Sequence, residues 1–199
     1  MKLKRWTYLI IGLLIFGFAG LWTFKNLNYN LDFEIGQKID DLNGVYVYYN
    51  GDIGNVTGRN TTIDGYNLGL KYQCVEFVKR YYYEHLNHIM PNSYGNAKDF
   101  FVKSLKDGQK SKQRNLTQYT NVSQTKPKVD DLLIFDGTPS NEYGHVAVIS
   151  KVTDNKVEII QQNPGPFRQS RVIYNLECEN EKWKIDNDRI LGWLRKEAP

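Results

Sequence analysis

Apolar and polar positions change rhythm several times along the chain, and each rhythm predicts a different element. Trp6 to Phe24 is an apolar run without a charge. At about 1.5 Å per helical residue it matches the ~30 Å hydrocarbon layer of a bilayer, which predicts a transmembrane helix over 6–24. Residues 25–39 read as a tether. From Tyr49 to Asn67 the chain is dense in Gly, Asn, Asp and Thr, which favour turns and left-handed backbone, so a loop is expected. Val75, Val78, Tyr82, Leu86 and Ile89 then recur at steps of three and four, the spacing of an amphipathic helix starting near Tyr72 and stopped by Pro91 and Asn92. A second, shorter helix is expected from Asn96 to about Leu105. Beyond Pro127 the rhythm is strand-like, in runs over 131–136, 145–152, 157–162, 171–175 and 189–195. Helices first and an antiparallel sheet afterwards predict an α+β class, with one domain over 40–199.

Charge adds an orientation to the apolar run. Lys2, Lys4 and Arg5 precede it and only Lys25 follows, so the positive-inside bias leaves residues 1–5 in the cytoplasm and sends the rest across the membrane. Trp6, Tyr8 and Trp22 suit the two interfaces. A cleaved secretory signal competes, with Gly17 and Ala19 as small residues before a cut, although the run continues through Leu21, Trp22 and Phe24. Both readings put the domain outside the cytoplasm, at the cell membrane or secreted. The 199 residues, 41% of them apolar, can build one core but hardly two. The net charge of +4 is scattered among acids, which excludes the basic stripe of a nucleic-acid binder. Two cysteines, Cys74 and Cys178, with no C-x-x-C pair, argue against a zinc knuckle and against a disulfide-dense scaffold.

One cysteine therefore invites a chemical explanation. A thiol attacks a carbonyl as thiolate, which needs a helix N-terminus or a histidine to take the proton. Cys74 stands at the expected start of the amphipathic helix, where free N–H groups, or the side chain of Gln73 or Tyr72, could hold an oxyanion. The plain alternative is a buried structural cysteine. His85 and His88 lie too far along the same helix to reach its sulfur. His145 opens a strand immediately after Gly144, where a ring can be held rigidly; the plain alternative is a strand-end histidine satisfied by backbone. A third group must fix its tautomer. If the strands over 145–152 and 157–162 are closed by a three-residue loop, Ala147 faces Gln161 and His145 faces Asn163, so both amides share the face of His145. A two- or four-residue loop would bring up Gln162 instead.

Tyr72-Gln73-Cys74-Val75-Glu76-Phe77-Val78, Asp131 to Phe135, Gly144-His145-Val146-Ala147-Val148-Ile149, Gln161-Gln162-Asn163 and Ile190 to Arg195 occur in the order of the CHAP family, the cysteine- and histidine-dependent amidohydrolases/peptidases, which residues 40–196 resemble. The resemblance implies a papain-like fold with Cys74 as nucleophile, His145 as base, and Gln161 and Asn163 as the orienting positions. Gln161 departs from the glutamate of many members, which implies a slower enzyme. Family members cleave cell-wall peptide cross-links or sugar–peptide amides; the run from Gly69 to Tyr83 is particularly similar to the amidase half of glutathionylspermidine synthetase/amidase. The expected function is thus a membrane-anchored, monomeric cysteine amidase or endopeptidase acting on peptidoglycan peptide, needing neither metal nor cofactor. Two alternatives stand: an amidase for a small peptide or polyamine conjugate, and a catalytically silent wall-binding module.

Overall fold

The computed structural model describes residues 2–25 and 28–197, with side chains over 6–20 and 28–197. Helix α1 spans Lys2–Lys25. Its described side chains, Trp6 to Gly20, are all exposed, so none of these adds to the core. No helix among the described residues is long and apolar enough to cross a membrane. This corrects the expected transmembrane segment: the run does form a helix, but it falls short of the length and apolarity together that a span requires. The interface position expected for the Trp22 ring lies outside the described side chains.

The expected α+β class is corrected as well, because the chain is mostly sheet. Ahead of the amphipathic helix, where no strand was expected, the chain carries two small hairpins, β1 (Lys38–Leu42) with β2 (Val45–Tyr48) and β3 (Arg59–Thr61) with β4 (Asn67–Leu70). Helix α2 then runs only from Cys74–Glu84. It stops well before Pro91 because Asn87 turns left-handed at φ 48° and His88 is buried with Nε2 on the carbonyl of Arg114. Where the second helix was expected there is a single 3-10 turn, Lys98–Phe100, ended by extended backbone at Phe101. The remaining strands are β5 (Gln109–Ser111), β6 (Leu116–Thr120), β7 (Leu132–Phe135), β8 (His145–Val152), β9 (Lys156–Ile160), β10 (Arg171–Glu179), β11 (Lys182–Ile185) and β12 (Ile190–Arg195). They form one eight-stranded sheet in the order β11-β10-β9-β8-β7-β12-β6-β5, and each neighbouring pair is antiparallel.

Alternation along the strands builds two cores, one on each face of the sheet. Leu132, Ile134, Val146, Val148, Ile160 and Leu194 take Phe77, Val78, Tyr81 and Tyr82 of α2 on one face. Leu133, Phe135, Ala147, Ile149, Val157, Ile159 and Trp193 cluster on the other with Tyr119, Leu176 and Ile185. Burial on both faces explains why β7 is an unbroken apolar run. The hydroxyls of Tyr81 and Tyr82 donate to Asp130, at 2.6 Å to its carboxylate and 2.7 Å to its carbonyl, so the interior helix face carries no unpaired phenol. Arg195 grips Asp131 through two bonds of 2.8 and 2.6 Å, fastening β12 to the start of β7. Gly192, at φ 155°, allows β12 to lie this close to β6, since a Cβ there would stand 2.0 Å from the carbonyl of Tyr119.

Candidate active site

The strands place several chain ends together. β7 ends at Phe135, β8 begins at His145, β9 ends at Ile160 and β10 begins at Arg171, so one edge of the sheet collects the residues that follow or precede them. Phe135 pairs with His145 across the β7–β8 ladder, and their rings lie 5.9 Å apart. Gly144 must be glycine at this corner: its φ is 75°, and a Cβ would stand 2.6 Å from the carbonyl of Phe135.

Cys74 is the first residue of α2. The chain enters the helix through a Leu70–Gln73 turn, Gln73 N–H donating to Leu70 at 3.2 Å, with Tyr72 left-handed at φ 64°. The first helical bond is Phe77 N–H to the Gln73 carbonyl, which leaves the N–H groups of the opening turn without helical partners. The half-buried thiol lies against the backbone N–H groups of Val146, Val75 and Cys74 itself. Val146 is the residue that follows His145 on β8. Burial pushes the thiol up to about 11, and these N–H donors offset only part of that.

Gln161 supplies the neighbour of the ring. Its Oε1 lies 2.9 Å from His145 Nε2, while its Nε2 donates to the carbonyl of Gln169 at 3.1 Å. That second bond fixes the amide orientation. A carbonyl oxygen only accepts, so His145 Nε2 must carry the hydrogen, and Nδ1 is left with a lone pair. Burial pushes the imidazole down to about 4; the Gln161 bond acts the other way, and the guanidinium groups of Arg189 and Arg168 reinforce the depression.

The contact arises by a route the sequence hides. The β8–β9 loop pairs Val152 with Val157, the four-residue closure that would have presented Gln162, but a bulge between Ile149 and Lys151 shifts the register back, pairing Val148 with Ile160. Gln161 therefore returns to the face of His145. Asn163 does not reach the ring: left-handed at φ 55°, it donates to Gln73 Oε1 at 2.8 Å and to the Ile53 carbonyl at 3.2 Å. Gln73 spends its amide hydrogens on the carbonyls of Ile53 and Asn55, at 3.1 and 2.9 Å. The Tyr72 hydroxyl lies over Gly36, and its ring is 5.5 Å from that of Tyr48. Tyr48, Asn60, Lys71, Tyr72 and Glu76 line a cavity of about 210 Å³ beside the helix start.

Glu76, two residues past Cys74, has surroundings that no local sequence pattern announces. Its buried carboxylate takes Arg80 at 2.6 Å, Asn60 at 2.8 Å and Gln162 at 2.8 Å. Gln162 also donates to the Gln73 carbonyl at 3.0 Å and accepts from Tyr48 N–H at 2.8 Å. This network locks the helix start to β2 and to the segment after β9. His85 and His88 point elsewhere, to Asn43 and to the Arg114 carbonyl. Cys178 is exposed on β10 and both cysteines are free thiols. Among the described residues no cluster of three His, Cys, Asp or Glu is disposed to hold a metal.

Cys74 opens α2, His145 opens β8 and the amide of Gln161 holds the imidazole, so these three residues stand at helix and strand ends. The chain belongs to the CHAP domain family, whose model matches residues 64–163. It is 32% identical over 148 residues to trypanothione synthetase of Crithidia fasciculata, a match covering 69% of this chain and 23% of that protein. It is equally 32% identical over 144 residues to the bifunctional glutathionylspermidine synthetase/amidase of Escherichia coli (strain K12), covering 66% and 23%. The match thus spans less than a quarter of these relatives' length. Among solved structures, "The crystal structure of Ly7917" aligns with a TM-score of 0.39 at 16% identity, covering 63% of this chain and 53% of that one. Family and relatives support an amidase or peptidase function for the chain.

Proposed function

We propose that the chain is a cysteine amidase in which Cys74 is the nucleophile and His145 its base, acting on a small amide conjugate of the glutathionylspermidine kind. The observation that carries the reading is the position of the Cys74 sulfur at the N-terminus of α2, against the backbone N–H of Val146, the residue that follows His145 on β8. The Sγ proton passes to His145 Nδ1 as sulfur attacks the amide carbon. Backbone N–H groups of the opening helical turn hold the oxyanion, since Gln73 has its amide hydrogens engaged elsewhere. Collapse breaks the C–N bond, and the imidazolium returns the proton to the leaving amine. Water then cleaves the thioester with His145 again as base. Gln161 keeps Nε2 protonated and so leaves Nδ1 free for each transfer.

The substrate class follows from the relative named as an amidase for such a conjugate. The 210 Å³ cavity at Tyr48, Tyr72 and Glu76 is of a size for a slender chain. The test is incubation of the purified full chain with glutathionylspermidine and, separately, with a peptidoglycan muropeptide digest, followed by mass spectrometry beside Cys74→Ala. Release of glutathione and spermidine by the parent chain alone is expected. Cleavage of muropeptides alone would move the substrate to the cell wall. Turnover of neither, with Cys74 inert to a thiol probe, would leave a binding module without chemistry.

A further inference from the structure

The amide of Gln161 is held from outside the strands it terminates. Its backbone N–H donates to the Ser170 carbonyl at 2.8 Å and its side-chain nitrogen to the Gln169 carbonyl at 3.1 Å. Ser170 and Arg171 are in turn fastened to Asp40, on the separate β1–β2 hairpin. Ser170 Oγ donates to Asp40 Oδ2 at 2.6 Å, Arg171 Nε to the same oxygen at 3.0 Å and Arg171 Nη2 to Oδ1 at 3.2 Å. Arg171 Nη2 also reaches the Asp41 carbonyl at 2.8 Å, and Nη1 takes Glu158 at 3.0 Å. The residues between are thinly held. Asn163 anchors one end on Gln73 and Asn30 touches the Pro166 carbonyl at 3.2 Å. Gly165 is left-handed, and Phe167 to Gln169 are exposed.

We infer that Asp40 is a positioning residue for His145, its clasp on Ser170 and Arg171 keeping the Gln169 carbonyl where it orients the Gln161 amide and so selects the Nε2–H tautomer of the imidazole. An amide whose nitrogen loses its acceptor can turn over. It then offers nitrogen instead of oxygen to the ring, which inverts the tautomer and removes the lone pair from Nδ1. Asp40 lies outside the residues matched by the family model, and its partners sit more than a hundred positions away. Its catalytic consequence rests on the proposed function, whereas its effect on the tautomer does not.

The test reads the ring directly. Full-length protein labelled with ¹⁵N-histidine and carrying Cys178→Ser is compared with Asp40→Asn and Ser170→Ala in the same background, by long-range ¹H–¹⁵N correlation of His145 and by the rate of Cys74 alkylation with iodoacetamide at pH 7. The parent is expected to show the Nε2–H tautomer, and both variants a mixture approaching roughly even populations with alkylation slowed several-fold. Ser170→Ala removes one hydroxyl only, so it decides the matter if Asp40→Asn does not fold. An unchanged tautomer in the folded variants, or an Nδ1–H ring in the parent, would overturn the inference. A parent that shows the expected tautomer and response but hydrolyses no amide would instead refute the proposed function.

Discussion

Gln161 and His145 meet through an oxygen and a ring nitrogen 2.9 Å apart, and the nitrogen of the same amide is committed to Gln169. The pair is therefore directional: the ring donates and the amide accepts. A neutral acceptor orients imidazole without contributing a charge, so the imidazolium formed during turnover has only a dipole to stabilise it. Burial pushes Cys74 towards the neutral thiol and His145 towards the neutral imidazole, which disfavours an ion pair at rest.

Gln161→Glu should raise the imidazole from its depressed value near 4 by roughly one to three units, because an adjacent carboxylate favours the cation. An NMR titration of His145 measures this directly. No movement would mean that the two side chains are not in contact in solution.

Alkylation of Cys74 in a Cys178→Ser background should climb about tenfold per pH unit from pH 7 to 9, since a thiol near 11 has thiolate in proportion to hydroxide throughout that range. A flat rate across neutral pH would reveal a thiolate–imidazolium pair and contradict the neutral resting state. Cys74→Ala should abolish labelling and lower turnover at least roughly a thousandfold.

His145 also ties stability to pH. Its folded value, near 4, lies below the ordinary 6.5, so the unfolded chain takes up the proton first as pH falls. The stabilisation is fully present above about 6.5, declines from there to about 4, and is gone below. Urea midpoints between pH 8 and 4 should fall along that window, and His145→Gln should flatten this part of the slope.

Glu76→Ala should cost about 3–5 kcal/mol, seen as a lowered thermal midpoint, because it leaves the buried guanidinium of Arg80 without its carboxylate and strips partners from Asn60 and Gln162. A loss under about 1 kcal/mol would show that water replaces the carboxylate and that the network is peripheral.

Gly144→Ala should destabilise by about 2 kcal/mol or more and displace His145, since its φ of 75° and the 2.6 Å approach to Phe135 leave no room for a methyl group. A fully stable variant with an unshifted imidazole spectrum would show that this corner can relax.

Strands β7, β8, β9 and β12 were legible because burial leaves apolar runs, as in Leu132–Phe135 and His145–Val152; β11, half of it lysine, offers no such run and was not expected. The hairpins before α2 were not, since strands as short as Arg59–Thr61 carry too few side chains for a period to emerge from turn-rich sequence. The helix end was misplaced because Leu86 and Ile89 keep a helical spacing that the left-handed turn at Asn87 overrides. The transmembrane expectation came from hydropathy alone, and no helix among the described residues meets the length and apolarity it needs.

Local chemistry determined the outline of the site: a thiol at a helix start, an imidazole at a strand start after an obligatory glycine, and amides at the end of the next strand. Residue type and spacing suffice for these because each depends on its immediate neighbours. Which amide meets the ring was decided by tertiary structure, through a bulge at Ser150 that no side-chain pattern announces. The engagement of Gln73 and Asn163 with the 53–55 segment, the buried setting of Glu76, and the link from Asp40 to Ser170 were decided the same way. Backbone carbonyls and partners a hundred residues distant become neighbours only when the sheet closes, and a sequence carries no local mark of where its carbonyls will point.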